Sequence, residues 1–374
     1  MKFSPKNWRD IERIIPFGLI WLLTGWVFIL VETAAMGTFD PDSPTIISVN
    51  FSVFVFASIA VIFVGLLVGA IEMIFIEDLF RNKSFLHKII YKLVLYTLIM
   101  LVIIAITYPI AASLESGASI LDGRVWNKFV QYLASITFLS TLLQMASSML
   151  LCLIYAAISE NLGHAVLVNF FMGKYHTPRE EKRIFMFLDM KNSTTIAEQL
   201  GHIRYFELLG EYYSDFSDSI INHLGEVYQY IGDEVVISWK YQKGLKNNNC
   251  IKCFFSMKKA LEKRTDHYIR KFGVFPAFKA GMHLGDVTTG EIAALKKDIF
   301  FTGDVLNATS RIQGMCNQYE VELLVSSELI EQLSLKDKFS FRSLGQVNLK
   351  GRVEPMELYT IDEKSNSNLK QIVG

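Results

Sequence analysis

At 374 residues the chain is long enough for two folding units, and 51% of it is hydrophobic, more than the cores of a soluble protein require. Its 37 Lys and Arg offset its 37 Asp and Glu, so the formal charge of zero provides no single-sign field, and nucleic acid is not expected as a partner.

The apolar excess lies before residue 160, in four stretches near 14–31, 50–75, 89–113 and 134–158. They are close to or above the ~20 residues that carry a helix across a bilayer. The first follows a charged leader and precedes no small-residue cleavage site, so it is expected to remain a span and not to be removed as a secretory signal. Lys2, Lys6, Arg9 and Arg13 precede span one, and Arg81, Lys83 and Lys88 lie between spans two and three. The segment between spans one and two holds only Glu32, Asp40 and Asp42 as charges, and the last outer loop has Arg124 and Lys128 alone as basic residues. The positive-inside rule then puts both termini in the cytoplasm, with residues 1–158 a multi-pass domain of the inner (plasma) membrane in contact with lipid. Glu72, near the inner end of span two, is expensive in lipid; it either reaches the interface by snorkelling or takes part in sensing.

Residues 159–182 read as a coupling linker, because Leu162, Val166, Leu167, Phe170 and Phe171 recur at helical spacing until Gly173 and Pro178 break the pattern. Its apolar stripe suits either the membrane surface or a twin helix. From 183 to 361 short strands alternate with helices, the pattern of one mixed α/β sheet covered by helices, and 362–374 is a tail. Arg183 to Asp189 reads as a buried strand, Thr194 to about Ile221 as a helix, and Glu226 to Tyr230 and Val235 to Trp239 as strands of a hairpin closed by Gly232-Asp233. Cys152 sits in a span, while Cys250 and Cys253 form a lone C-x-x-C with no second pair, which reads as one helix face and not as a zinc site.

Asp189 at a strand end and Asp233 at a hairpin tip would meet if their strands are neighbours. Such a sparse carboxylate pair suits two hard cations, Mg2+ or Mn2+, that also take phosphate oxygens. Taken singly, Asp189 could instead cap the following helix and Asp233 simply fit its turn. Phe187-Leu188-Asp189-Met190 and Ile231-Gly232-Asp233 resemble the two metal-binding segments of the class III adenylate and guanylate cyclases. Gly281-Met282-His283-Leu284-Gly285-Asp286-Val287 with Gly290 is similar to that family's glycine-punctuated hairpin. The run from Gly303 to Arg311 looks like its dimer-interface helix, and Lys350-Gly351 matches its late Lys-Gly step.

The resemblance implies a ferredoxin-like α+β catalytic domain behind the four transmembrane helices, in which Asp189 and Asp233 hold two metal ions. It further implies that Asn307 orients the ribose, that Arg311 stabilises charge on the reacting phosphate, and that Lys350 binds the triphosphate. Asn307 and Arg311 are four apart on a helix, so both project from one face. In the family these two residues and the aspartates come from different subunits, which implies a homodimer with composite sites. Base recognition departs from the pattern: Gln229 stands where adenylate cyclases have Lys and guanylate cyclases Glu, and Phe300 where they have Asp, Thr or Cys. An amide both donates and accepts, so Gln229 suits either purine edge, while Phe300 offers an apolar face; the resemblance to bacterial cyclases makes ATP the expected substrate, with GTP as an alternative. Two rival readings are a diguanylate cyclase, suggested by Gly232-Asp233-Glu234 but leaving Asn307, Arg311 and Lys350 without a role, and a catalytically silent membrane receptor or scaffold.

Overall fold

The computed structural model of the chain describes residues 4–39, 50–76, 85–162, 167–168, 172–292, 298–335, 338–350, 352 and 354–364. Two compact units emerge, one of residues 7–168 and one of residues 169–374 with residues 1–6.

In the first unit, helices α1 (Pro5–Phe39), α2 (Phe51–Ala70), α3 (Phe85–Ser116) and α5 (Ile136–Leu162) are joined by a short helix α4 (Gly123–Leu133). All four long helices contain a stretch apolar enough to cross a membrane: Pro5–Ala34, Phe51–Met73, Val94–Ser116 and Ile136–Ser159. Helix α1 extends past both ends of the 14–31 expectation, because hydropathy marks the lipid-immersed part of a helix and not its hydrogen-bonded length. Helices α1 and α2 touch through glycine: a Cβ on Gly65 would lie 2.6 Å from the Phe17 carbonyl oxygen, and one on Gly69 2.9 Å from the Phe17 ring. Small residues four apart let backbones approach in lipid, where burial gives no hydrophobic gain.

Helix α2 continues into one π-helical turn, Ile71–Ile76, which carries Glu72. That carboxylate does not snorkel: Glu72 is only 6% exposed, and it accepts hydrogen bonds from Lys92 Nζ and Tyr96 Oη of α3. Helix α4 is absent from the sequence reading, which weighed its segment only for charge. Its Val125, Phe129 and Tyr132 recur at helical spacing and turn inward, and Tyr132 stacks on Tyr108 with ring centroids 3.9 Å apart.

Of the expected coupling helix, the residues up to Leu162 continue α5, Leu167 is buried, and Val166, Phe170 and Phe171 lie outside the described residues. So do Asp40, Asp42, Arg81, Lys83 and Gly351.

The second unit opens with β1 (Arg179–Met190), which starts before the expected Arg183, followed by α6 (Ser193–Leu200) and α7 (His202–Asn222). The expected single helix is split at Gly201, whose φ of 74° only glycine adopts without strain. Then come β2 (Glu226–Ile231), β3 (Glu234–Lys240), α8 (Tyr241–Leu245), α9 (Asn249–Lys263), α10 (Thr265–Phe272), β4 (Phe278–Ile292), β5 (Asp298–Thr302), α11 (Asp304–Gly314), β6 (Leu323–Ser326), α12 (Ser327–Ile330), β7 (Phe339–Val347) and β8 (Met356–Glu363). The sheet order is β2-β3-β1-β4-β6-β8-β7, with β5 paired to β4. All pairings are antiparallel except β4 with β6.

Alternation along β1 sorts the two faces of this sheet. Ile184, Met186 and Leu188 pack into the main core with Leu208 and Phe216 of α7 and Phe254 and Met257 of α9. Cys250 and Cys253 lie on the inner face of α9 in that same core. Phe185 and Phe187 point the other way, toward Val236, Phe301 and Val305. On that second face Arg183, 2% exposed, is held by Glu181 at 2.9 Å, Glu226 at 3.3 Å and Ser238 at 3.2 Å.

Helix α11 lies across this second face, seated on glycines. A Cβ on Gly281 would come within 2.3 Å of the Gln313 backbone nitrogen, and one on Gly285 within 2.9 Å of Val305. The glycine-punctuated segment is the middle of β4, the first strand of an antiparallel hairpin with β5, and its glycines admit a helix at close range.

Candidate active site

Strand β1 delivers Asp189 to the sheet face under α11, directly opposite Glu234 of β3 and Lys279 of β4. Between β2 and β3 only Gly232 and Asp233 remain for the turn, and Gly232 takes a φ of 62°. A glycine at the first position of a two-residue loop matches the right-handed twist of its strands. Tyr213 of α7 braces this tip: its hydroxyl donates to the Gly232 carbonyl at 2.9 Å, and its ring packs on Tyr230 at 4.5 Å between centroids.

The turn brings Asp233 within hydrogen-bonding reach of Asp189. Burial first, then the hydrogen bond and charge of Asp233, push the Asp189 carboxyl above the usual carboxylate range, with Lys279 opposing. Glu234 is pushed up to about 7, mainly by burial and then by the same two aspartates. Asp189 Oδ2 receives Gln313 Nε2 at 3.3 Å and lies 3.5 Å from Lys279 Nζ. Asp233 Oδ2 is buried and has no hydrogen-bond partner among the described residues. Two close carboxylates with an unmet buried oxygen have the donor chemistry that a hard divalent cation satisfies. Among the described residues no group of three or more His, Cys, Asp or Glu side chains is placed to hold a metal. A cation here would therefore complete its shell with water and phosphate oxygens, as Mg2+ prefers.

The remaining candidates fall in two places. Asn307 and Arg311 sit on the outward side of α11, the first exposed and the second half-buried, and Lys350 is exposed in the loop between β7 and β8. None of the three hydrogen-bonds or ion-pairs with Asp189 or Asp233 among the described residues. Gln229 and Phe300 are both exposed, but their neighbours in sequence touch: Tyr228 packs on Phe301 at 4.7 Å between ring centroids, and Phe301 N donates to Tyr228 Oη at 3.3 Å. The fold thus brings the β2 and β5 segments carrying them together.

Lys279, Gln313, Glu234 and Tyr213 were not foreseen as site residues. Lys279 and Glu234 become visible only through strand register, and Gln313 only through the seating of α11. Six residues beyond Asn307 on the same helix, Gln313 faces inward, 6% exposed.

The model of the adenylate and guanylate cyclase catalytic domain family matches residues 176–363. Adenylate cyclase 2 of Rhizobium meliloti (strain 1021) is 30% identical over 210 residues, which are 56% of this chain and 58% of that protein. The adenylate cyclase of Anabaena cylindrica is 27% identical over 183 residues, 47% of this chain and 36% of that one. This chain therefore spans little more than half of the first relative and about a third of the second. A bacterial light-regulated adenylyl cyclase shares the fold, with a TM-score of 0.51 and 21% identity over 61% of this chain and 65% of its own. With a family match over half its length, this chain belongs to the adenylate and guanylate cyclase catalytic domain family.

Proposed function

We propose that this protein is a membrane-anchored adenylate cyclase of the inner (plasma) membrane, with its catalytic domain at about 183–361 in the cytoplasm, working as a homodimer. The observation that carries the reading is the Asp189–Asp233 pair under α11, with one buried carboxylate oxygen unpartnered among the described residues.

In the reaction the ribose 3'-hydroxyl attacks the α-phosphorus, a new P–O bond closes the ring, the bond to the β-phosphate oxygen breaks, and pyrophosphate leaves as the hydroxyl proton is lost. Asp189 and Asp233 would hold two Mg2+ or Mn2+ ions, which when bound lower the pKa of the hydroxyl and neutralise the phosphates. Lys279 and Gln313 hold the Asp189 carboxylate in place. Arg311 supplies a guanidinium where negative charge develops on the transferring phosphoryl group, Asn307 fixes the ribose, and Lys350 binds the triphosphate. The side chains of these three make no hydrogen bond or ion pair among the described residues, which fits a composite site completed by the aspartates of a second copy. The comparisons favour adenine: two adenylate cyclases are the relatives at 30% and 27% identity. Gln229 and Phe300 leave guanylate or mixed specificity as the second reading, because neither side chain carries the charge that marks one purine.

The full chain, purified in detergent and offered ATP, GTP, CTP and UTP separately with Mg2+ or Mn2+, should form cyclic AMP fastest. No cyclic product from any of the four would sink the enzyme reading in favour of a silent receptor or scaffold.

A further inference from the structure

Lys350 occupies the corner of a tight turn whose two ends are fixed to other elements. Arg352 N donates to the Leu349 carbonyl at 3.0 Å, which closes the turn around Lys350. At one end Leu349, 3% exposed, packs in a cluster with Ala308 and Ile312 of α11 and Leu358 of β8. At the other end Arg352 Nε lies 2.9 Å from Oδ2 of Asp304, the first residue of α11, and its Nη1 lies 3.8 Å from Glu328 Oε1 of α12.

We propose that Arg352 is a positioning residue, a clasp that fixes the Lys350 turn to the N-terminus of α11 so that Lys350 meets the triphosphate in register with Asn307 and Arg311. This rests on the cyclase reading given above. A lysine is a point charge on a flexible stem, so its contribution depends on where its backbone is held. Here the backbone is pinned to the same helix that carries the two other polar candidates. The Arg352 and Asp304 side chains are 30% and 53% exposed, and an ion pair that wet adds little to stability. Its removal should therefore leave the fold intact and change what Lys350 can reach. Asp304 has a second reason to be acidic, since a carboxylate in the first turn complements the helix dipole. That role alone would not place an arginine opposite it.

The test uses the full chain in detergent with Arg352→Ala, Arg352→Lys, Asp304→Asn, Lys350→Ala and the Arg352→Ala/Lys350→Ala double variant. Three quantities are read: KM for ATP, the affinity for tripolyphosphate, and the thermal midpoint. Arg352→Ala should raise KM and weaken tripolyphosphate about tenfold, since small misplacements of a binding group are costly, while the midpoint barely moves. Arg352→Lys should fall between, keeping the charge without the fork that reaches two carboxylates. In the Lys350→Ala background Arg352→Ala should add nothing, because a residue acting through another is not additive with it. Full additivity in that double variant, or unchanged tripolyphosphate affinity in Arg352→Ala, overturns the clasp. If the wild type forms no cyclic nucleotide yet binds tripolyphosphate and loses it with Arg352→Ala, the reaction falls and the clasp stands.

Discussion

The two units treat a carboxylate shielded from water, buried in the first and half-buried in the second, in opposite ways. In the membrane unit Glu72 is 6% exposed and fully engaged, with Lys92 and Tyr96 of the neighbouring helix on its two oxygens. In the catalytic sheet Asp189 is set beside a second carboxylate, Asp233, with Glu234 directly across the ladder, and among the described residues Lys279 is the one cation paired with Asp189. A charge that serves packing is neutralised by the chain itself, because an unpaired one in lipid costs several kcal/mol. The pair proposed to serve a ligand is left short of partners, at some cost to the empty fold. Arg183 shows that the second unit can also satisfy a buried charge with its own side chains.

The sharpest way to break this contrast is to neutralise each carboxylate in turn. Asp189→Asn or Asp233→Asn should lower cyclic-nucleotide formation by roughly a thousandfold or more, because the pair proposed to hold the metals would be halved. Relief of like-charge repulsion should leave the thermal midpoint equal or higher, the usual trade between stability and function. Mn2+ should raise the wild-type midpoint and not that of either variant. A midpoint several degrees lower with activity retained would show that the pair is structural.

Glu72→Leu should do the reverse. Leaving the half-buried Lys92 and the buried Tyr96 hydroxyl without their partner should cost up to about 3–5 kcal/mol of the membrane unit's stability, and Glu72→Leu/Lys92→Met should restore most of it. Unfolding of the full chain in detergent by SDS titration reads both. A single variant as stable as the wild type would remove the anchor side of the comparison.

His283 is a third kind of buried ionisable group, kept neutral. Its Nδ1 lies 2.8 Å from Ser326 Oγ, and burial first pushes its pKa down to about 4, with Glu328 and Asp304 opposing and Arg352 assisting. Since the unfolded chain protonates near 6.5, the stability it contributes is complete above that pH and is lost as pH falls toward 4. The total is about 3 kcal/mol. Denaturation midpoints of the full chain at pH 7.5 and 5 should differ accordingly, and His283→Gln should flatten the difference. An equal slope in wild type and variant would assign the acid sensitivity elsewhere.

Most of the fold was legible because its signals are local. Four apolar stretches mark the helices of the membrane unit, and the Gly232-Asp233 turn marks its hairpin. The pairing of β1 with β3, which the meeting of Asp189 and Asp233 required, is present. What escaped needed tertiary information. Glu72 looked like a residue reaching for the interface because Lys92 and Tyr96 lie on another helix, 20 and 24 residues away. Helix α4 hid in a loop read only for charge. Gly281 and Gly285 were legible as part of a glycine-punctuated hairpin, while their use in seating α11 is a fact of layer packing. Lys279 and Gln313 reach Asp189 through register and helix seating, which no spacing in one segment encodes.

The smallest effect concerns base choice, where the site's incompleteness is chemical rather than electrostatic. Gln229 is exposed, faces Val236 across the ladder and can turn its amide either way, so it can offer a donor to adenine N1 or an acceptor to guanine N1–H. Gln229→Lys removes the acceptor and Gln229→Glu removes the donor. The first should move the ratio of kcat/KM for ATP over GTP up about tenfold and the second down by a similar factor, one hydrogen bond's worth of discrimination. In the proposed site Phe300 would offer only an apolar face to either base, so the effect should stay smaller than in a site with two polar readers. The measurement is the two kcat/KM values for each variant of the full chain. Ratios that stay put in both would make Gln229 an outward strand residue with no part in the site, and would leave β5 to choose the base.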